Sequence, residues 1–499
     1  MAYVVTSTYF HAADWAVVAL YFALVTWIGH RVKGRQSTVQ EYFLGSRSLP
    51  WPAVSASIVA TAVSGVTFIG VPSLVFAQQG DFRYLQFCIA GLLSKWILGR
   101  WILPQLYARN YLSPYDFIRE KMGAGLGRLS AMLFFIGAVL GQGVRVFAVS
   151  LVLELLTGLG FAWCVLLSVG VAAISTLLGG VRAVVWSDVL QFAMFVGGGL
   201  LALWFVATGY PGGFPAVLDA ADAAGKTHVL VLDADPRVNF TFWAGVFAMP
   251  FQNLAAYGTD QLNTQRMLCC RSVRDARLAL YASNAGELVV LLFLLVGASL
   301  WAYYQVNPLD PAFAALVQQN IDRIFPAFIL SEMPTGLRGF MVAALFAAAM
   351  SSPVLSALAE TSITMFHAGH AAGTLADDRA VWLSRLLVAV WAVVLGGFAL
   401  LLSGTGEQLV PLAFAMTAYT YGPMLGLFLL ALFVPRHRIV NPKVGVVVSL
   451  AGVFVVHNAH WLGLSAAKEV VAFPWLFPWG VMLCIGFAML PLRLQPRRD

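Results

Sequence analysis

The chain has 499 residues, 60% of them hydrophobic and only 11% charged, with a formal net charge of +7 and a mean hydropathy of +0.81. Long apolar runs recur from end to end, which excludes a string of soluble domains and marks a polytopic membrane protein. The positive charge, which in a soluble protein would suggest nucleic acid, has a simpler source in loops on the inner side of a membrane.

Thirteen apolar spans are read at 12–32, 54–78, 83–105, 126–157, 161–180, 184–208, 239–257, 276–304, 337–367, 379–404, 408–434, 442–461 and 472–493. The first ends in Arg31, Lys33 and Arg35 with no small-residue cleavage site, so it reads as a retained helix and not a signal peptide. Alternate connections, starting with the one after this span, carry about 22 of the 30 Lys and Arg residues. The asymmetry places the N-terminus outside and the C-terminus inside. Cys88, Cys164, Cys269, Cys270 and Cys484 fall in spans or an inside loop, which disfavours disulfides and a zinc site. No nucleotide-binding loop is present, which disfavours ATP-driven transport. Nor does any constellation pair a nucleophile with a base, so an enzyme is not expected.

The second span is a poor continuous helix: Ser55, Ser57, Thr61, Ser64, Gly65, Thr67 and Gly70 interrupt it and Pro72 follows. Non-helical backbone at membrane depth is tolerated only where it is buried in protein or lines a cavity. The third span has Phe82 and Gln86 near its outer end and Lys95 inside it. In the fourth, Arg145 sits well inside, where insertion costs about 2.5–3.5 kcal/mol, so it needs a buried carboxylate or a watery cavity. Glu154 is nine residues away, roughly 13 Å along a helix, too far to pair directly. The sixth span places Asp188 about one turn from its inner end, where pairing with Arg182 is the structural alternative to a functional role. The loop at 209–238 has the composition of a surface connection. The seventh span is broken too, at Pro250, Gln252 and Asn253; its amides face a substrate or glue packed helices together.

The ninth span, Gly336 to Phe366, has the wrong centre for a plain anchor. The Ala348 carbonyl and the Ser351 and Ser352 hydroxyls lie at i, i+3 and i+4 on one helical face, and Pro353 leaves the Ala349 carbonyl without its donor. Ser356 and Glu360 follow. Neutral oxygens at that spacing suit a hard monovalent cation such as Na⁺, while close packing of small residues explains them equally. Broken helices thus begin at spans two and seven. Five is odd, so two successive groups of five spans run in opposite directions, the sequence sign of a midplane transport site. The repeats would be 54–208 and 239–434, with 12–32 before them and 442–493 after, in one transmembrane domain over 1–499.

YFLGSRSLPW, SPYDFIREKMG, GGVRAVVWSDVLQ, YGTDQLNTQR and PTGLRGFMVAALFAAAMSS resemble, in order and spacing, the signatures of the sodium:solute symporter family. The resemblance covers nearly the whole chain and is closest in motif detail to sugar and sialic-acid members. It implies an all-α, LeuT-like five-plus-five inverted repeat. It also implies a sodium site made by the carbonyls of Ala60, Val63 and Ala348 with the hydroxyls of Ser351 and Ser352. Some members have a second sodium site, for which Asp188 matches the aspartate; SSPVLS puts Leu355 where a serine is expected, and Ser356 fits only with one residue inserted. Ser64, Thr67, Phe82, Gln86, Arg145 and Asn253 match positions of substrate contact. The expected protein is a sodium-coupled importer of a small polar solute, favoured an anionic sugar acid or carboxylate such as sialic acid, working by alternating access. A neutral sugar, polyol, amino acid or vitamin is the alternative substrate. A sodium-independent carrier, or a proton-coupled one using Asp188, is the rival class. Expected partners are the substrate, sodium and the lipid bilayer of a cell membrane, in particular a bacterial inner membrane, with no organic cofactor and no nucleic acid.

Overall fold

Segments embedded in lipid must satisfy their own backbone groups, so apolar runs of this length fold as helices. The computed structural model describes residues 10–32, 38–109, 111–349, 352–366, 377–403, 408–466 and 470–491. Its main helices are α1 (Ala12–Val32), α2 (Trp51–Ala62), α3 (Gly65–Phe76), α4 (Cys88–Ile97), α5 (Pro114–Met122), α6 (Ala124–Thr157), α7 (Phe161–Gly209), α8 (Met249–Gly258) and α9 (Gln261–Leu268). They continue with α10 (Val273–Ala282), α11 (Gly286–Val306), α12 (Ile324–Ser331), α13 (Leu337–Ala349), α14 (Ser352–Phe366), α15 (Asp377–Leu401), α16 (Leu409–Phe433), α17 (Pro442–His457) and α18 (Leu476–Met489). Among the described residues, seven helical segments are each long and apolar enough to cross a bilayer, and α2 with α3 makes an eighth across its bend.

Three irregularities in these helices have local causes. Between α2 and α3 the chain bends by 53°, because Val63 and Ser64 are extended, at φ −82°, ψ 91° and φ −104°, ψ −175°. Just before α8, residues Ala244–Ala248 form a π-turn. Pro250 has no N–H for the ladder and its ring crowds the carbonyl four residues back, which the wider turn relieves. The third break concerns α7. It runs 49 residues, ~74 Å at 1.5 Å per residue, against a hydrocarbon core of ~30 Å. Gly180 interrupts it with φ 57° and ψ −168°, and the Tyr42 carbonyl lies 2.9 Å from where a Cβ would stand. The spans expected at 161–180 and 184–208 are therefore two helices that meet at a kink on this glycine.

Burial orders the bundle. In α6, 67% of the most apolar window is buried, against 22% in α1. Leu20 and Trp27 of α1 and Trp382 and Val393 of α15 face outward, as suits a lipid-facing surface. Even so, α1 carries a fully buried aspartate. Asp14 accepts from the N–H groups of Gly336 at 2.7 Å and Gly339 at 2.9 Å, capping the start of α13. The long connection at 209–238 is likewise more than a surface loop. Its Lys226 ammonium donates to the carbonyls of Val75 at 3.1 Å, Ala77 at 2.6 Å and Gln78 at 3.3 Å, closing the C-terminal end of α3.

Candidate functional site

The break between α2 and α3 opens onto a cavity of about 180 Å³. Its walls include Ser64 and Thr67 from the broken helix, Gln142 and Arg145 from α6, Gln252 and Asn253 from α8, and Tyr421 from α16. The charged residues lining it are Arg145, Lys95 and Glu287. With extended backbone at Val63 and Ser64, the carbonyls near the end of α2 lose helical donors. The Thr61 carbonyl accepts instead from Arg145 Nη1 at 2.8 Å. Among the described residues no carboxylate pairs with Arg145. No hydrogen bond from its other N–H groups is found among the described residues.

Below the cavity, the polar run from Asp260 to Arg266 bonds to side chains of four other helices. Tyr421 of α16 donates to Asp260 at 2.7 Å, and Gln261 donates to Glu360 of α14 at 2.7 Å. Gln265 donates to Ser356 of α14 at 3.2 Å. Arg266, 1% exposed, pairs with Asp188 of α7 at 3.3 Å and donates through Nε to Ser57 of α2 at 2.8 Å. Ser57 in turn donates to Asp188. The Asp188 partner is thus Arg266 and not Arg182, which binds the Gly45 carbonyl and the Ser48 hydroxyl. Both residues considered for a second sodium, Asp188 and Ser356, are held by consecutive side chains of α9.

On the opposite side, Asp322 in the connection between α11 and α13 bridges two walls. Its carboxylate accepts from the Ser73 hydroxyl of α3 and, at 3.0 Å, from the Leu409 N–H that opens α16. Arg323 beside it turns away to Gln319 at 3.4 Å. Burial, partly offset by Ser73 and the Leu409 N–H, pushes the Asp322 carboxyl up to about 6. A carboxylate released to water returns to about 3.9, so the bridged form holds its proton more tightly than an opened one. Protonation therefore favours closure, which strengthens as the pH at Asp322 falls through 6 and is lost above it. Between pH 7.5 and 5.5 the bridged form should gain about fourfold over an open one. The expected result is a matching fall in uptake at pH 5.5 relative to pH 7.5, flattened in Asp322→Asn; an unchanged pH profile in that variant would remove Asp322 from the closure.

Of the expected substrate contacts, Ser64, Thr67, Arg145 and Asn253 line the cavity, and Phe82 and Gln86 do not. Gln86 is spent on the loop above, donating to the Phe240 carbonyl at 2.9 Å and accepting from Val231 N–H at 3.1 Å. The Phe82 N–H donates to the His228 carbonyl at 3.0 Å. Of the expected sodium ligands, Ala60 and Val63 sit at the end of α2 and Val63 lines the cavity. Ala348 lies in the last turn of α13, while Ser351 and the Ser352 side chain lie outside the described residues. Glu287 and Tyr421 were not singled out from the sequence. Glu287 opens a long apolar span and reads there as an interfacial charge; only the approach of α4 shows otherwise.

A helical bundle broken around a small polar cavity, with bridged polar residues on both sides of it, defines a secondary transporter of the LeuT-like class. The model of the sodium:solute symporter family matches residues 42–441, and the chain belongs to that family. It is 31% identical over 93% of its length to the sodium-dependent multivitamin transporter of Oryctolagus cuniculus, covering 72% of that protein. It is 28% identical over 85% of its length to the sodium-coupled monocarboxylate transporter 2 of Mus musculus, covering 69% of it. Among solved structures, the substrate-bound outward-open state of a Na⁺-coupled sialic acid symporter matches with a TM-score of 0.84. The match covers 96% of this chain and 97% of that one at 21% identity, and shows the fold. The chain is accordingly a multi-pass membrane transporter whose coupling ion is sodium.

Proposed function

We propose that the chain imports a small monoanionic carboxylate with sodium by alternating access. The observation that carries this is Arg145, which lines the cavity with no carboxylate partner among the described residues. Lys95 and Glu287 offset one another, and Asp260, behind Tyr421, interacts with Arg145 without pairing with it, so Arg145 is the lining cation whose fork is open to a carboxylate. Drug-sized ligands occupy pockets of about 300–1,000 Å³. A cavity of about 180 Å³ therefore favours the small end of the class over a sugar acid as large as sialic acid. Relatives named for monocarboxylates and vitamins are in keeping with this choice.

Sodium would be held where the end of α2 meets the α13–α14 junction, by the carbonyls of Ala60, Val63 and Ala348 and the hydroxyls of Ser351 and Ser352. Occupying that crossing would rigidify the broken helix and complete the adjacent substrate site. Linkage then requires sodium and substrate to raise each other's affinity by the same factor. Ser64, Thr67 and Asn253 would contact the substrate beside Arg145. The topology that goes with this has thirteen spans in a cell membrane with the N-terminus outside, and inverted repeats at 54–208 and 239–434.

Uptake of short carboxylates into proteoliposomes, with and without an inward sodium gradient, tests the class. Ser351→Ala combined with Ser352→Ala removes two of five proposed ligands. The sodium concentration for half-maximal uptake should rise about tenfold or more. Unchanged sodium dependence in a well-inserted double variant would move the site away from this helix.

A further inference from the structure

Glu287 has no role in the transport cycle described so far, yet it faces the same cavity as Arg145. It is the second residue of α11, and its carboxylate occupies a niche left by a missing side chain. A Cβ on Gly91 of α4 would stand 2.5 Å from Glu287 Oε1 and 4.0 Å from Asn253 Oδ1. Lys95, one turn along α4 from Gly91, supplies the countercharge at 3.8 Å. That ammonium is sealed in: its side chain is 3% exposed, against 26% for Glu287. It also donates to the Ser283 carbonyl at 3.2 Å and lies 5.1 Å from the centre of the Tyr257 ring.

At 3.8 Å the two charges balance without a close hydrogen bond. An ionised carboxylate has about four acceptor sites and donates nothing. The Cys88 thiol on the same wall supplies one hydrogen bond, and the remaining acceptor sites facing the cavity are open to a donor that enters it. Charge balance selects the kind of donor. A neutral O–H or N–H donor adds no charge, whereas an ammonium on Glu287 would face that of Lys95, itself 3.8 Å from the same carboxylate.

Resting on the carboxylate assignment made above, we infer that Glu287 forms a second subsite, which selects acids bearing a neutral O–H or N–H donor away from the carboxylate. Arg145 takes the acid end and Glu287 the donor end. Lys95 is a positioning residue that holds the Glu287 carboxylate in its niche. Gly91 makes the room.

The test compares straight-chain acids of three to six carbons with their ω-hydroxy and ω-amino counterparts, in sodium-dependent uptake competition and in ligand-induced thermal shifts of the purified protein. At the best-fitting length the wild type should bind the hydroxy acid about 10- to 100-fold more tightly than the parent acid, the range for a hydrogen bond to a charged group. The amino acid should bind more weakly than the hydroxy acid. Glu287→Gln should cut the hydroxy-over-parent ratio to about a tenth of its wild-type value. Gly91→Ala, which displaces the carboxylate while leaving it in the chain, should lower the same ratio. If Glu287→Gln does not fold, the wild-type ratio and Gly91→Ala decide. Parent acids transported with sodium but preferred equally at every length would sink this subsite and leave the carboxylate assignment standing. A ratio that survives both variants, or a preference for the amino acids, would also overturn it. If none of the acids is bound, the carboxylate assignment fails and the subsite falls with it.

Discussion

Replacing Arg145 with alanine is expected to lower kcat/KM for a carboxylate substrate by about 100- to 1,000-fold. Truncating one partner of a buried, hydrogen-bonded charge pair costs about 2–5 kcal/mol, much of it from the charge left unpaired. Arg145→Lys keeps the charge but loses the planar fork that meets two carboxylate oxygens at once. Its cost should be intermediate, about 10- to 100-fold. Arg145 also donates to the Thr61 carbonyl at the helix break, so a purely structural defect must be told apart from lost recognition. The separation comes from the substrate. A neutral polyol gains nothing from the guanidinium, so its uptake, if any, should not follow the same order of variants. A neutral solute whose uptake falls through the variants in the same order and by the same factors as the carboxylate's would make Arg145 structural and end the carboxylate assignment.

What the sequence made legible follows from what one helix can show by itself. The break between α2 and α3 is written in Thr61, Ser64 and Gly65, and its 53° bend follows. The need of Arg145 for a partner could be read from its depth, and so could the distance ruling out Glu154. Cross-helix choices were not legible. Asp188 has Arg182 six residues away in sequence and pairs with Arg266, 78 residues on. The polar run at 260–266 reads as a loop between spans, yet every one of its residues is buried. Gln86 looked like a substrate contact and is spent on Phe240 and Val231. Its segment gave no sign that the connection at 209–238 folds back over it. Glu287 became visible only once Gly91 of another helix was beside it.

The arrangement also bears on coupling. Asp322 ties α3 to α16 on one side of the cavity, and Tyr421 ties α16 to Asp260 on the other. The same helix, α16, is thus bridged at its start and at its middle, and Val410, Ala413, Phe414 and Thr417 between the two ties line the cavity. Alternating access requires these ties to break in turn. A bound sodium that stiffens the end of α2 can act on that equilibrium only through a difference in affinity between the two states.

Arg266→Met should destabilise the protein by about 3–5 kcal/mol, because it leaves Asp188 buried without its countercharge. Both side chains are 1% exposed and 3.3 Å apart, with Ser57 bonded to each. Combining Arg266→Met with Asp188→Asn removes both charges and should recover most of that loss. Unfolding of the four proteins in detergent gives the coupling energy directly; additive losses would mean that the pair is not the source. The pair also limits the ion count. With Arg266 on Asp188 and Gln265 on Ser356, a second sodium there would have to displace a guanidinium already neutralising the carboxylate. The proposed cycle then carries one sodium with one monoanion and moves no net charge. Uptake of a monocarboxylate should then be electroneutral, with a sodium Hill coefficient near one. Moving one elementary charge across 100 mV is worth about 2.3 kcal/mol, so a second ion would be plain in current recordings. A sodium-dependent inward current with a monocarboxylate would show that more than one sodium accompanies each anion and overturn this count.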